Sequence, residues 1–391
     1  MYFPQHTMKK HLLLIFLLIL SFVKSQSLKT LYIFDSEDSK PISNAKIITE
    51  NNIFYTNDDG KTLIPDHIKE MEISAPSYEI KKSDGNSLQI SLKPIYKDIE
   101  EVAITNIDIK KLLWNVINNY KNIYYTKPSL YMGTVKQKSF IDKSLAHLLV
   151  VDVNIWSKYN FFDISQAKDP DSFFQIGLND VKYYKTKKFD DNFYFQSVPN
   201  LQPKDFVGTF FMNYHILGVL NSTKDLKIKT KLLYENAGIQ KIYFESEENT
   251  KDGVKFEGVL TFNKNDNAIV NFKNNVVQKN YFSEKIDKNG LSYKAYTTNA
   301  ELFFDFYKRN GKYYPSLITV NGIGYSLKDG EKIAYSGYQE IKLEKFEEAN
   351  KRGLKNKIDL SKSFIDNIPD KSVNETKTLL SNEEQNFIDT K

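Results

Sequence analysis

Leu31-Tyr32-Ile33-Phe34-Asp35, Thr56-Asn57-Asp58-Asp59-Gly60 and Leu88-Gln89-Ile90-Ser91-Leu92 all fall within residues 30–92, and their reading decides the fold. The first is a short apolar run halted by an acid. The second is a turn: Asn and Asp side chains bond backbone amides two residues on, and Gly accepts a positive φ. In the third, Leu88, Ile90 and Leu92 alternate with Gln89 and Ser91, the period of a half-buried strand. Pro41-Ile42, Ala45 to Thr49, Leu63-Ile64 and Met71 to Ser74 supply further short apolar segments between turn signals. Short strands punctuated this closely predict a β-sandwich.

Asp35, Pro41-Ile42, Ala45, Thr56 to Gly60, Ile73-Ser74, Tyr78 and the closing Leu88 to Leu92 form an ordered set. In that order the stretch resembles the carboxypeptidase-like regulatory domain. The resemblance implies a seven-stranded, transthyretin-like sandwich, common in envelope proteins of the Bacteroidetes and a non-catalytic accessory there. The family often carries Gly just before the Tyr, where this chain has Ser77. The resemblance covers about a fifth of the chain.

The 391 residues suggest two or three domains, long enough to bury cores without staples. Cysteine is absent, which excludes disulfides, thiolate zinc sites, Cys nucleophiles and a lipidated N-terminal Cys. Lys plus Arg number 54 against 49 Asp plus Glu, yet only Arg309 and Arg352 are arginines. Arg is the residue for bidentate forks to phosphate and guanine, so no nucleic-acid partner is expected.

Met8-Lys9-Lys10, the apolar run His11 to Val23 and Lys24-Ser25-Gln26 have the layout of a signal peptide over 1–25, with Gln26 starting the mature chain. An N-terminal membrane anchor is the other reading, but the run falls short of the ~20 residues a span needs. Cleavage removes Lys9, Lys10 and Lys24 and no acid, so the formal charge falls from +5 to +2. The expected location is the periplasm or an association with the outer membrane, with no transmembrane span after cleavage.

Downstream, the sandwich is expected over 27–105, with a terminal strand within 100–105. Ile109, Leu112, Leu113, Val116, Ile117, Tyr120 and Ile123 recur at helical spacing. They predict a linker helix over 106–127, capped by Asn106 or Asp108, that serves as a hinge or as the first helix of the next domain. Residues 129–346 then read as antiparallel β. Leu145 to Trp156 is a long apolar strand, 253–273 a hairpin, and Leu302, Phe304 and Phe306 share a face. Asp205 to Leu217 suits a helix. The fold class is thus mainly β: a sandwich, a linker helix, and a larger antiparallel half-barrel-like domain with few helices. Residues 347–391 read as a charged C-terminal tail, an exposed helix or disordered. A tail of this kind is not the closing apolar strand of an integral outer-membrane barrel.

Tyr131-Met132-Gly133, Phe256 to Leu260 followed by Asn267 to Val270, and Gly311 to Tyr314 resemble the unclosed barrel of periplasmic lipoprotein carriers. That resemblance implies a concave apolar face suited to acyl chains; the alternative is a packed, dry core. The apolar residues expected to face a ligand are Trp156, Phe256, Phe262, Phe272, Phe304 and Phe306. Trp156, Tyr159, Phe161 and Phe162 make an aromatic knot around Lys158, read as strand-end packing or a ligand platform.

No catalytic, metal or cofactor residues are expected. His67-Ile68-Lys69-Glu70 spells the first zinc-ligand pair of metallocarboxypeptidases, but it sits in the accessory module without a third ligand. His147 and His215 lie in other segments, and Asp35, Asp58, Asp59, Asp152 and Asp163 are unpaired in sequence. There is no Gly-x-Ser-x-Gly elbow, phosphate loop or dinucleotide fingerprint. The function expected is non-catalytic binding or adaptor work in the cell envelope, toward a lipid, a lipoprotein or another envelope protein. The alternatives are a hydrolase of glycans or peptides working through carboxylates, and a structural partner of an outer-membrane complex.

Overall fold

A computed structural model describes residues 27–50, 52–95, 107–166, 168–188, 205–250, 253–279, 282–287, 289–362, 364–367 and 379–390. The expected signal peptide and the expected strand within 100–105 lie outside the described residues. The protein is mainly β, with antiparallel sheets and few helices. It divides into two compact units, one up to Pro94 (51–53 excepted) and one from Ile95 on.

The first unit contains β1 (Leu28–Asp35), β2 (Lys46–Ile48), β3 (Ile53–Tyr55), β4 (Lys61–Pro65), β5 (Met71–Ser74), β6 (Lys81–Ser83) and β7 (Gln89–Leu92). They form two sheets, ordered β4-β1-β7 and β3-β2-β5-β6. Leu31, Ile33, Ile47, Ile64, Ile73, Ile90 and Leu92 make a common core. The turn residues read from sequence hold this unit together. Thr56 Oγ1 donates to Ile42 O at 2.6 Å and accepts from Ala45 N at 2.9 Å. Asn57 Oδ1 accepts from the amides of Asp59 and Lys61, each at 3.0 Å. Gly60 has φ +71°, and a Cβ there would stand 2.4 Å from Ile33 O, so no other residue fits. Tyr78 Oη donates to Asp35 Oδ2 at 2.9 Å. His67 and Glu70 are exposed on the loop after β4.

The second unit begins with α1 (Ile109–Asn118), whose Asp108 cap accepts from Lys111 N, and α2 (Tyr120–Ile123). The segment expected as a linker is therefore the first helical layer of this unit. Ile109, Leu113, Val116, Tyr120 and Ile123 bury into its core, because the apolar stripe has a sheet to cover. The strands follow: β8 (Ser129–Ile141), β9 (Ser144–Ser157), β10 (Phe174–Thr186), β11 (Ile228–Asn236), β12 (Ile239–Ser246), β13 (Val254–Asn263) and β14 (Ala268–Gln278). Then come β15 (Phe282–Ile286), β16 (Ser292–Arg309), β17 (Lys312–Lys328) and β18 (Glu331–Glu348). Between β10 and β11 stand α3 (Asp205–Thr209) and α4 (Met212–Ser222), and near the end α5 (Asn382–Asp389). One eleven-stranded sheet runs β10-β9-β8-β18-β17-β16-β14-β13-β12-β11, with β15 on β16. Among the described residues β10 and β11 each pair on one side only, so this sheet is unclosed.

The expectation for 347–391 is corrected by the packing. Ile358, Phe364 and Leu380 are buried, and Ile358 N donates to Ile176 O at 2.8 Å. Helix α5 lies on the outer sheet face. It has a full capping box, Ser381 to Glu384, and the Glu384 carboxylate is fully buried 2.8 Å from Lys136 Nζ and 3.6 Å from Lys138 Nζ. At the other end Lys185 Nζ donates to Phe387 O at 2.7 Å and Ile388 O at 3.0 Å, as suits a cation at a helix C-terminus. The charges that read as solvated in sequence are thus partly spent on docking.

Candidate functional site

Val135, Val151, Ile341, Ile318, Phe304, Phe272 and Leu260 occupy alternate positions on successive strands and share the sheet's inner face. Among the described residues this face does not meet a second sheet. It meets α1 to α4, whose Phe206, Phe210, Phe211, Met212, Ile216, Val219 and Leu220 are buried in the same core. The contacts are largely aromatic: Phe174 to Phe210 at 5.1 Å, Tyr131 to Phe210 at 5.8 Å and Tyr124 to Phe306 at 5.1 Å between centroids.

Two polar devices hold α4 in place. Asn213, fully buried, accepts from Phe162 N at 3.0 Å and donates to Phe162 O at 2.9 Å. His215 Nε2 lies 3.1 Å from Gly208 O, with its ring 5.7 Å from Phe304. Burial pushes the His215 imidazole down to about 4, so it is neutral at physiological pH. A recess bounded by Tyr120, Tyr124, Phe210, Phe211, Met212 and Phe306 remains between helices and sheet, with room for about one water. Asn160, 6% exposed, lines it, and its Oδ1 has no hydrogen-bond partner among the described residues.

Of the residues expected to face a ligand, Phe272, Phe304 and Phe306 lie on the inner face and are nearly or fully buried under the helices. Phe262 belongs to the same core, and Phe256 packs half-buried at its margin. Trp156 is elsewhere. It neighbours the inward Ile155, so it points to the outer face, where its Nε1 donates to Asn350 O at 2.9 Å. The aromatic knot accordingly splits. Phe162 packs on Tyr214 at 4.8 Å and Phe161 on Tyr120 at 5.5 Å, while Tyr159 is exposed with Lys158 Nζ 5.2 Å over its ring.

The structure also pairs two carboxylates that sequence reading left apart. On the outer face Thr134 Oγ1 is 3.3 Å from Asp152 Oδ1 and 3.3 Å from Glu344 Oε1. Lys182 Nζ stands 2.9 Å from Asp152 Oδ2. Burial, opposed by Lys342 and reinforced by Asp152, pushes Glu344 up to about 7. The two carboxylates thus meet at one hydroxyl, with a lysine on the Asp152 side. The pairing runs across β8, β9 and β18, and no local sequence signal marks it.

Helices among the described residues include none long and apolar enough to cross a membrane. No family model matches the chain, and no curated protein matches it. Two solved structures align with it. One is a LolA superfamily protein from Nitrosomonas europaea, 11% identical over 59% of this chain and 93% of that one, with TM-score 0.19. The other is described as a membrane-associated protein of unknown function from Bacteroides fragilis, 9% identical over 82% of this chain and 97% of that one, with TM-score 0.14. At these scores neither likeness carries an argument about fold or ligand.

Proposed function

We propose that the second unit is a non-catalytic binding module of the cell envelope that takes the apolar chain of a lipid or lipidated protein on its inner sheet face. One observation carries the reading. The inner face of an unclosed sheet presents Phe244, Phe272, Phe304 and Phe306 to an inserted helix pair, and not to a second sheet. Helices α3 and α4 occupy the space an acyl chain would take. Their contacts with the sheet are apolar and non-directional, so an alkyl chain can replace them without stranding polar groups on the strands. The same chemistry makes the groove a site for chains of methylenes, each worth about 0.8 kcal/mol when buried. The sandwich unit serves as an accessory to this module.

Half-buried Phe256 offers the test, since a charge there spoils the groove's margin without cutting into the core. Phe256→Asp is expected to lower uptake of a fluorescent fatty-acyl probe at least tenfold while leaving the far-ultraviolet circular dichroism unchanged. Unchanged uptake by the folded variant contradicts the reading.

Asp152, Thr134 and Glu344 favour a second reading, a glycan hydrolase with Glu344 as acid and Asp152 as base or nucleophile. Under it, a panel of chromogenic glycosides yields turnover that Glu344→Gln and Asp152→Asn both abolish. Turnover retained in both variants removes it.

A further inference from the structure

Beyond the phenylalanine band, the inner face changes character. Asn274 pairs with Leu302, Leu302 with Val320, Val320 with Gln339 and Gln339 with Gln137, so these side chains form one row across five strands. The row lies two residues along from Phe272, Phe304, Ile318, Ile341 and Val135, on the same face. One step further Ala300, Gly322, Gly337 and Ser139 form a row of small residues that ends at His147. A Cβ built on Gly322 would meet nothing within 4 Å, so there is open space above this position of the row.

Among the described residues, three polar atoms here lack any partner. They are Gln339 Nε2, in a residue 1% exposed, Asn274 Oδ1, in one 5% exposed, and His147 Nε2, in one 4% exposed. Gln137 Nε2 donates to Gln339 Oε1 at 2.9 Å, which fixes the Gln339 carboxamide with its NH₂ group left over. His147 Nδ1 is likewise engaged by Thr186 Oγ1 at 2.8 Å. Each orphaned buried group bears its desolvation cost with no bond in return, and three on one face call for a reason.

We propose that this row is a polar subsite that binds the uncharged ester or amide linkage of an acylated molecule whose chain lies on the neighbouring phenylalanine band. The inference rests on the apolar-chain reading above and adds the chemistry of the head to it. Gln339 Nε2 donates to the linkage carbonyl. Asn274 Oδ1 stands three strand spacings away, about 14 Å, and accepts from a hydroxyl or N–H further along the same molecule. No side chain of the three rows carries a charge, since burial holds His147 neutral with its value near 4. A phosphate or carboxylate head would therefore be buried unpaired, which is far costlier than an ester.

The full chain is titrated calorimetrically with monolauroylglycerol and with its ether counterpart, dodecylglycerol, which has the same chain and hydroxyls but no carbonyl. The ester is expected to bind about tenfold tighter, the worth of one hydrogen bond to a preformed donor. Gln339→Met, close in volume, is expected to bring the ester down to the ether's affinity, leave the ether unchanged, and keep or raise the melting temperature. Asn274→Leu serves as the second variant. A third probe, N-lauroylserine amide, separates the sources. Preference for it marks an acylated polypeptide, preference for the glyceride marks a glycerolipid, and either supports the subsite. Equal affinity for ester and ether, or an ester preference that survives Gln339→Met, overturns the subsite while the apolar groove stands. Failure of every probe to bind overturns the groove itself and the subsite with it.

Discussion

Ser77 shows how far one residue was legible. The sequence places Ser where the resembled family has Gly, and the structure gives it φ +75° in a turn closed by Tyr78 N donating to Ala75 O at 3.1 Å. Pro76 and a left-handed residue after it are the marks of a type II turn, but Ser is not a residue that favours positive φ, so the sequence alone left this turn open. A non-Gly residue there costs about 1–2 kcal/mol, partly offset by the extra freedom Gly has when unfolded. Ser77→Gly is expected to stabilise the protein by up to about 1 kcal/mol in urea denaturation. A lower midpoint means that the Ser77 hydroxyl outweighs the strain.

Glu344 is the opposite case, since nothing near it in sequence names Thr134 or Asp152. Its folded value near 7 lies above the ordinary carboxyl range, so the folded state holds its proton more tightly than the unfolded chain. That contribution is full below about pH 4.5 and is lost as pH rises through 7. His147 and His215 work the other way. Held near 4, they stay neutral while unfolded imidazoles charge, so stability falls as pH drops from 6.5 toward 4. Glu344→Gln is thus expected to gain on the parent in urea midpoint at pH 8 relative to pH 5. An equal difference at the two pH values contradicts the assignment.

Among elements, strands with one open face were readable and those covered on both were not. Phe272 stands between Asn271 and Lys273, and Leu302, Phe304 and Phe306 alternate with Glu301, Phe303 and Asp305, so their side of the sheet followed from period. Leu145 to Trp156 is apolar at nearly every position, because helices cover its inner face while α5 and the 350s cover parts of its outer face. Period then cannot tell the faces apart, and Trp156 came out reversed. Helix α4 was equally muted, since its buried residues spread around the helix and include Asn213.

Helix α5 carried a legible capping box, but its partners Lys136 and Lys138 lie nearly 250 residues upstream. Its apolar contacts are few, so it should be the least protected helix of its unit. Glu384→Gln removes the carboxylate that buried Lys136 faces at 2.8 Å, and the helix is expected to undock instead of the unit unfolding. Hydrogen exchange should then rise over 379–390 alone. A rise spread across β8 and β9 contradicts this. By contrast, Asn213→Leu orphans both backbone groups of Phe162, at about 1–3 kcal/mol each, and should lower the whole unit's stability.

For the molecule as a whole, composition and turn spacing were enough for a mainly β chain with a small sandwich ahead of a larger sheet. Neither β8 beside β18 nor the filling of the inner face by α3 and α4 has a local signature, because both depend on contacts far apart in sequence. The central claim is that this face gives up its helices to an acyl chain. Native mass spectrometry of the protein recovered from its own host's envelope tests it most directly. The account predicts a discrete added mass, lost on denaturation and identified by fragmentation as an acylated molecule. A bare chain, or an added mass without an alkyl chain, contradicts it.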